Sequence, residues 1–239
     1  MLVLATAACA AALAAATYQS LAPRGQWFGK SFHGIERGSR QIALTFDDGP
    51  NDPHTLKLLE ILDKHAVRAT FFLIGRHVRQ RPDIAATIAA QGHTVGNHTF
   101  SHPLLIFQPR SRIEEEIITC QQALRDAVAE PSNLFRPPWG GRRPGIFRFV
   151  RGLGLEPVLW SVTGYDWNAP SADYIEKKVQ AQIRGGDVVL LHDGGHSAFG
   201  ADRSRTNQAV DRLIARYHSD GYRFGTIPEM MSSARNGFR

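Results

Sequence analysis

The residues able to do chemistry fall at a few places along this chain. Asp47 and Asp48 stand side by side after the apolar run Ile42–Phe46, in an Asp-Asp-Gly-Pro turn. Adjacent residues at the end of an extended strand point to opposite sides, so two carboxylates here can take different tasks. His98 and His102 are four apart, a spacing that on one helical turn aims both imidazoles the same way. Two imidazoles and one carboxylate, Asp48 being the candidate, make a three-ligand metal set with positions left open for water or substrate. Arg136-Pro137-Pro138-Trp139 is a turn stiffened by prolines, in which the Trp139 amide can face a developing oxyanion. Asp166-Trp167 adds another acid and aromatic, and His192 ends the run Val-Val-Leu-Leu with a titratable group. Each has an ordinary reading: an Asp-rich turn, unrelated histidines, a Pro-Pro turn, a core histidine. Their common placement argues otherwise.

That placement follows from the elements. Short apolar runs predict strands at Ile42–Phe46, Thr70–Ile74, His93–Gly96, Leu134–Arg136, Pro157–Ser161, Val188–Leu191 and Arg223–Thr226. Amphipathic patterns between them predict helices at Thr55–Lys64, Pro82–Ala90, Arg112–Val128, Pro144–Gly152, Ala172–Ile183 and Asn207–His218. Pro82 suits a first helical position, Ser111 with Glu114 reads as a capping box, and Gly92, Gly152 and Gly221 read as helix stops. The alternation implies an α/β fold, a distorted (β/α) barrel of seven strands in a single domain. Every residue of interest then lies at a strand's carboxyl end, where such barrels assemble their sites.

Composition sets the bounds. With 239 residues, 43% of them hydrophobic, the chain can bury a sizeable core, which excludes wholesale disorder. No apolar stretch reaches the roughly 18 residues of a confident membrane span. Residues 1–20 read as an export leader or anchor, with an apolar stretch at Leu2–Ala16 but no basic start, and residues 21–239 as the catalytic domain. The expected location is therefore the cell envelope or outside the cell. Cys9 lies in the leader, and Cys120 shares a helical stripe with Ile113, Ile117 and Leu124, so it reads as buried and inert. The net charge of +6 comes from scattered arginines with no nucleic-acid motif, so no nucleic-acid partner is expected. A membrane contact is expected only through the N-terminal segment if it is retained. His33, His54, His65, His77, His93, His196 and His218 read as surface or structural.

Five motifs in order, Thr45–Pro50, His98–His102, Arg136–Gly140, Asp166–Trp167 and Leu191–Asp193, resemble those of the polysaccharide deacetylases, carbohydrate esterase family 4 or NodB-homology domains. The resemblance spans about residues 25–232 and includes Ala69–Gly75. It implies Asp48, His98 and His102 as ligands of a divalent metal, zinc first, with cobalt or manganese as alternatives. It implies Asp47 as general base held by Arg136, and His192 as general acid held by Asp166. Trp139 would supply the oxyanion N–H, Leu191 a wall of the acetyl pocket, and Trp167 a substrate contact. The implied reaction removes N-acetyl groups from an N-acetylglucosamine polysaccharide such as peptidoglycan or chitin oligomers. Three rivals fit less well. A binding module would be expected to lack Asp47, Asp48 or His192, and an iron oxygenase usually uses an all-β barrel. An amidase on a small non-sugar amide leaves the tryptophans without a sugar to stack on. The polymer and the oligomeric state are not legible in the loops, Ser197–Arg205 included.

Overall fold

The computed structural model describes residues 2–236. Helix α1 (Leu2–Leu21) leads into an irregular stretch that reaches Arg40 and touches the body through bridges Phe32–Val158 and Gly34–Asp187. Then follow β1 (Gln41–Asp47), α2 (His54–Lys64), β2 (Thr70–Leu73), α3 (Gly75–Gln80), α4 (Pro82–Ala90), β3 (Thr94–Asn97), α5 (Arg110–Ala127) and β4 (Leu134–Phe135). The second half adds α6 (Ile146–Gly152), β5 (Glu156–Pro157), β6 (Val162–Thr163), α7 (Ala172–Gln182), β7 (Asp187–His192), α8 (Ser204–Ser219), β8 (Arg223–Phe224) and α9 (Ile227–Asn236). No helix among the described residues is long and apolar enough to cross a membrane.

All ladders are parallel, in the order β5-β4-β3-β2-β1-β7-β6, with β8 pairing the start of β1 off this path. The expected strand Pro157–Ser161 is replaced by two. Leading residues Glu156 and Pro157 pair with β4, while Val162 and Thr163 pair with β7. Between them Leu159 N–H donates to Phe32 (2.7 Å) and Ser161 N–H to Val188 (3.0 Å). One segment thus crosses from one side of the barrel to the other, which is the distortion of the barrel.

Side chains two apart on a strand share a face, and the core divides accordingly. On β1, Ile42, Leu44 and Phe46 join the outer cluster under the helices with Val189 and Leu191 of β7. Ala43 and Val188 instead face the interior, which Phe72, Val158 and two α9 residues, Ile227 and Met230, fill from below. Buried on both faces, these strands carry apolar side chains at nearly every position.

Two local readings need correction, and two helices are added. The capping box at Ser111 and Glu114 does not form: Pro109, extended at φ −63° and ψ 156°, already sets the start of α5, so Ser111 lies inside the first turn. After α6 the left-handed residue is Gly154 (φ 78°), not Gly152, which is still helical. Helices α3 and α9 lie outside the expected set: α3 is only six residues long, and the apolar face of α9 is only Ile227, Met230 and Met231.

Candidate active site

The β1–β7 ladder sets Asp47 directly opposite His192, so two reactive residues enter the barrel mouth from neighbouring strand ends. Asp48 would point away on a continued strand, but its φ of 72° turns the chain and brings both carboxylates to one cluster. Aspartate tolerates this left-handed conformation better than most residues. The following Gly49 is required by a close approach, because a Cβ there would stand 2.1 Å from Asp193 Oδ2.

His98 and His102 converge without a helix. They sit on a loop after β3, in which Thr99 (φ 66°) and His102 (φ 62°) are left-handed. Thr99 N–H donates to Asn97 Oδ1 (2.9 Å) and His102 N–H to Thr99 Oγ1 (3.1 Å). Buried Glu116 of α5 fixes the loop by accepting from Ser101 N (2.7 Å) and Ser101 Oγ (2.6 Å). His98 Nε2 and His102 Nε2 lie 3.5 and 3.3 Å from Asp48 Oδ1. The three donors fall within 4.8 Å of one another, and Asp48 Oδ1 is buried with no hydrogen-bond partner.

The electrostatics suit a cation. Burial opposes ionisation of Asp48, but His196 and His98, with His192 and His102 nearby, hold its carboxyl well below the usual range. Burial and then the adjacent His98 push the His102 ring down to about 2, leaving it neutral with a lone pair to offer. His98 Nδ1 meets the Arg136 carbonyl at 2.7 Å, which fixes the tautomer with Nε2 facing Asp48. Two imidazole nitrogens and one carboxylate oxygen therefore fit a divalent transition metal.

Two ion pairs flank this set. Arg136, wholly buried, donates from NH1 to Asp47 Oδ1 (2.7 Å) and Thr45 Oγ1 (2.8 Å) and from NH2 to the Leu159 carbonyl (3.1 Å). The Phe72 ring supports its guanidinium at 4.1 Å. Opposite, Asp166 holds His192 at both ends of one residue: Nδ1 at 2.8 Å from Oδ1, and the backbone N–H donating to Oδ2 at 2.8 Å. Thr206 donates a third hydrogen bond to Asp166 (2.9 Å). Burial alone would lower the His192 ring, yet Asp166, aided by Asp48 and Asp47, raises it to about 9. Burial would likewise raise Asp166, but the His192 charge and hydrogen bonds pull it below its ordinary value.

A cavity of about 500 Å³ opens above these groups, walled by Trp139, Trp160, Trp167, Leu190 and His196 among others. Trp139 and Trp167 are about half exposed, at 47% and 52%. Trp139 is left-handed (φ 54°), and no acceptor among the described residues takes its backbone N–H. Leu191 is not a cavity wall. It lies in the outer core, and Leu190, two residues before His192 and so on its face, lines the cavity.

His196, read from sequence as surface or structural, belongs to the site. Its ring stacks on His102 (4.7 Å between centroids, 21° between planes), and Nδ1 lies 3.7 Å from Asp48 Oδ2. Only the fold brings it there, because Arg76 and Arg203 hold the carbonyls of His196 and Gly194. Asp193, fully buried under Gly49, is raised to about 7 by burial against the opposing Thr55 hydrogen bond. His77 is structural, with Nδ1 at 3.1 Å from the Asp48 carbonyl. Cys120 is inert: burial pushes its thiol up to about 12.

A family model described as polysaccharide deacetylase matches residues 34–158. A peptidoglycan-N-acetylglucosamine deacetylase of Bacillus cereus is 34% identical over 199 residues, 82% of this chain and 91% of the relative. A chitooligosaccharide deacetylase of Sinorhizobium fredii is 36% identical over 198 residues, 80% of this chain and 92% of the relative. Among solved structures, the Bc1960 peptidoglycan N-acetylglucosamine deacetylase superposes with a TM-score of 0.79 at 34% identity, covering 84% of this chain and 92% of its own. BA3943, described as a CE4 family pseudoenzyme from Bacillus anthracis, superposes at 0.77 with 27% identity, covering 84% and 68%. The chain belongs to the polysaccharide deacetylase family, the class its fold and site define. Within that family it is an amide-hydrolysing enzyme.

Proposed function

We propose that the protein is a metal-dependent deacetylase that hydrolyses the N-acetyl groups of an N-acetylglucosamine-containing polysaccharide. The observation that carries this reading is the unpartnered Asp48 Oδ1 between two inward-facing imidazole nitrogens, with Asp47 and His192 paired across the same mouth. Asp48, His98 and His102 would hold the cation, and zinc suits two imidazoles and a carboxylate, with cobalt or manganese as alternatives. Such a cation lowers the pKa of a coordinated water and polarises the acetyl carbonyl.

The chain's own groups carry the protons. Asp47 Oδ1 is engaged by Arg136, and its Oδ2, 3.6 Å from His98 Nε2, faces the ligand set, where it takes a proton from the attacking water. Charge building on the acetyl oxygen is met by the Trp139 N–H. An amine departs only once protonated, and His192, kept charged by Asp166, delivers that proton. Arg136 and Asp166 are positioning residues. Leu190 bounds the acetyl methyl, and the exposed faces of Trp139 and Trp167 offer stacking surfaces for sugar rings.

The apolar, small-residue composition of Leu2–Ala16 supports export, with residues 21–239 as the working domain in the cell envelope or outside. The test is acetate release from N-acetylglucosamine oligomers by metal-stripped protein and the same protein refilled with zinc. Release only after refilling is expected, and equal release from both samples would overturn the metal-dependent reading.

A further inference from the structure

A second cavity, of about 630 Å³ and separate from the catalytic one, lies along α6 and the start of α5. Its polar lining is cationic: Arg110, Arg143 and Arg148 face it, and no Asp or Glu does. None of the three forms an ion pair among the described residues, although neighbours on the same helices do. Arg112 on α5 pairs with Glu115 (2.8 Å), and Arg151 on α6 pairs with Glu156 (2.7 Å). Three arginines without an ion pair therefore share one cleft that has no carboxylate in its lining. Their charge is also partly fixed: the Arg110 guanidinium lies over the Phe149 ring at 4.8 Å, and Arg143 NH2 donates to the Gln108 carbonyl at 3.1 Å. Arg143 Nε is buried and has no partner.

The cleft is close to the chemistry. Trp139 lines the catalytic cavity and Arg143 lines the cleft, four residues further along the chain, a reach of at most about 14 Å. A glycan seated on Trp139 can extend toward these arginines. The remaining lining, Ile113, Phe149 and Leu153 included, is apolar. Guanidinium groups over an apolar floor suit a carboxylate on a short hydrocarbon or peptide arm, whereas a bare phosphate would leave that floor uncovered.

We propose that this cleft binds carboxylate-bearing substituents of the polysaccharide, so that the enzyme prefers an acidic, peptide-substituted glycan over a neutral one. This rests on the deacetylase reading for its substrate, but binding can be measured apart from turnover. Two peptidoglycan fragments that differ only in free or amidated peptide carboxylates would be titrated calorimetrically into wild-type protein and the Arg110→Gln/Arg148→Gln variant. Both replaced side chains are exposed, and a Lys pair at the same positions controls for charge. The free-carboxylate fragment should bind wild-type protein about tenfold more tightly at low salt, as expected of two exposed charge-assisted contacts. The preference should vanish in the Gln variant, return in the Lys variant and weaken with added salt. Acetate release from neutral N-acetylglucosamine oligomers should not change. Equal binding of the two fragments by wild-type protein would overturn the proposal, as would tighter binding of poly(glycerol phosphate) than of either fragment. Absent acetate release with the carboxylate preference intact would instead sink the deacetylase reading and leave the cleft standing.

Discussion

The two walls of the catalytic mouth use the same device to opposite ends. On one, carboxylate Asp47 is held by guanidinium Arg136; on the other, carboxylate Asp166 holds imidazole His192. Asp47, Arg136 and Asp166 are buried and His192 is only slightly exposed, so each partner strongly biases the other. What differs is which partner reaches the cavity. Asp47 lines it while Arg136 lies beneath, and His192 lines it while Asp166 is buried behind. The anion presented on the first wall can accept a proton, and the cation presented on the second can give one. A guanidinium cannot be deprotonated at working pH, so no proton passes between the members of the first pair. In the proposed mechanism, acid and base roles are thus set by which end of an ion pair faces the cavity.

The contrast can be broken from several directions. Removing the cation with a chelator, or replacing Asp48 by Ala, should reduce acetate release to background, with metal content falling in parallel. Asp47→Asn should cost about 10²–10⁴-fold in kcat, the range of general base catalysis, while metal content by atomic absorption stays near one equivalent of the wild-type value. Loss of metal in that variant would reassign Asp47 as a ligand.

On the acid wall the test is a pH profile. His192 must carry its proton, so the alkaline limb of kcat/KM should lie near 9 and move to lower pH in Asp166→Asn, with about a tenfold loss of kcat at neutral pH. An unmoved limb would detach Asp166 from the acid. The same pair acts on stability. A folded pKa above the ordinary 6.5 gives a contribution fully present below that pH and lost as pH rises through about 9. Melting of the metal-free protein should therefore fall across that window, and fall less in Asp166→Asn.

The smallest effect on turnover belongs to the far face of β7. Leu191→Ala should lower stability by about 2–5 kcal/mol, as a buried leucine truncation does, with kcat/KM per folded molecule unchanged. Leu190→Ala should instead relax discrimination between acetyl and longer acyl groups. Kinetics with propionylated oligomers separate the two.

Much of this was legible from sequence because strand ends aim residues for simple geometric reasons. Apolar runs located β1, β2 and β7, and the site residues then followed by position. Misreadings arose where local rules met tertiary contacts. A four-residue histidine spacing suggested a helix, but the loop is shaped by Asn97, Thr99 and a carboxylate on α5, none of which spacing alone reveals. Motif position points to Leu191, whereas the two-residue period from His192 places Leu190 on the cavity face. His196 had no local signal, since its place depends on Arg76 reaching across from α3 and on Arg203 folding its own loop back onto Gly194. The strand at Pro157–Ser161 has an unremarkable pattern whose division depends on what lies on either side of it.

Arg142 lies wholly buried just beyond the Trp139 turn and donates to the carbonyls of Gly140 (2.9 Å), Gly25 (2.8 Å), Ser20 and Ala22. One cation thereby staples the end of α1 and the segment after it to the rim of the catalytic mouth. Trimming the amino terminus past Gly25 would strip three of those four acceptors and leave a charge stranded in the interior. Shortened chains made for production should keep Ser20 through Gly25, and any natural cut on the amino-terminal side of Ser20 would leave this staple intact.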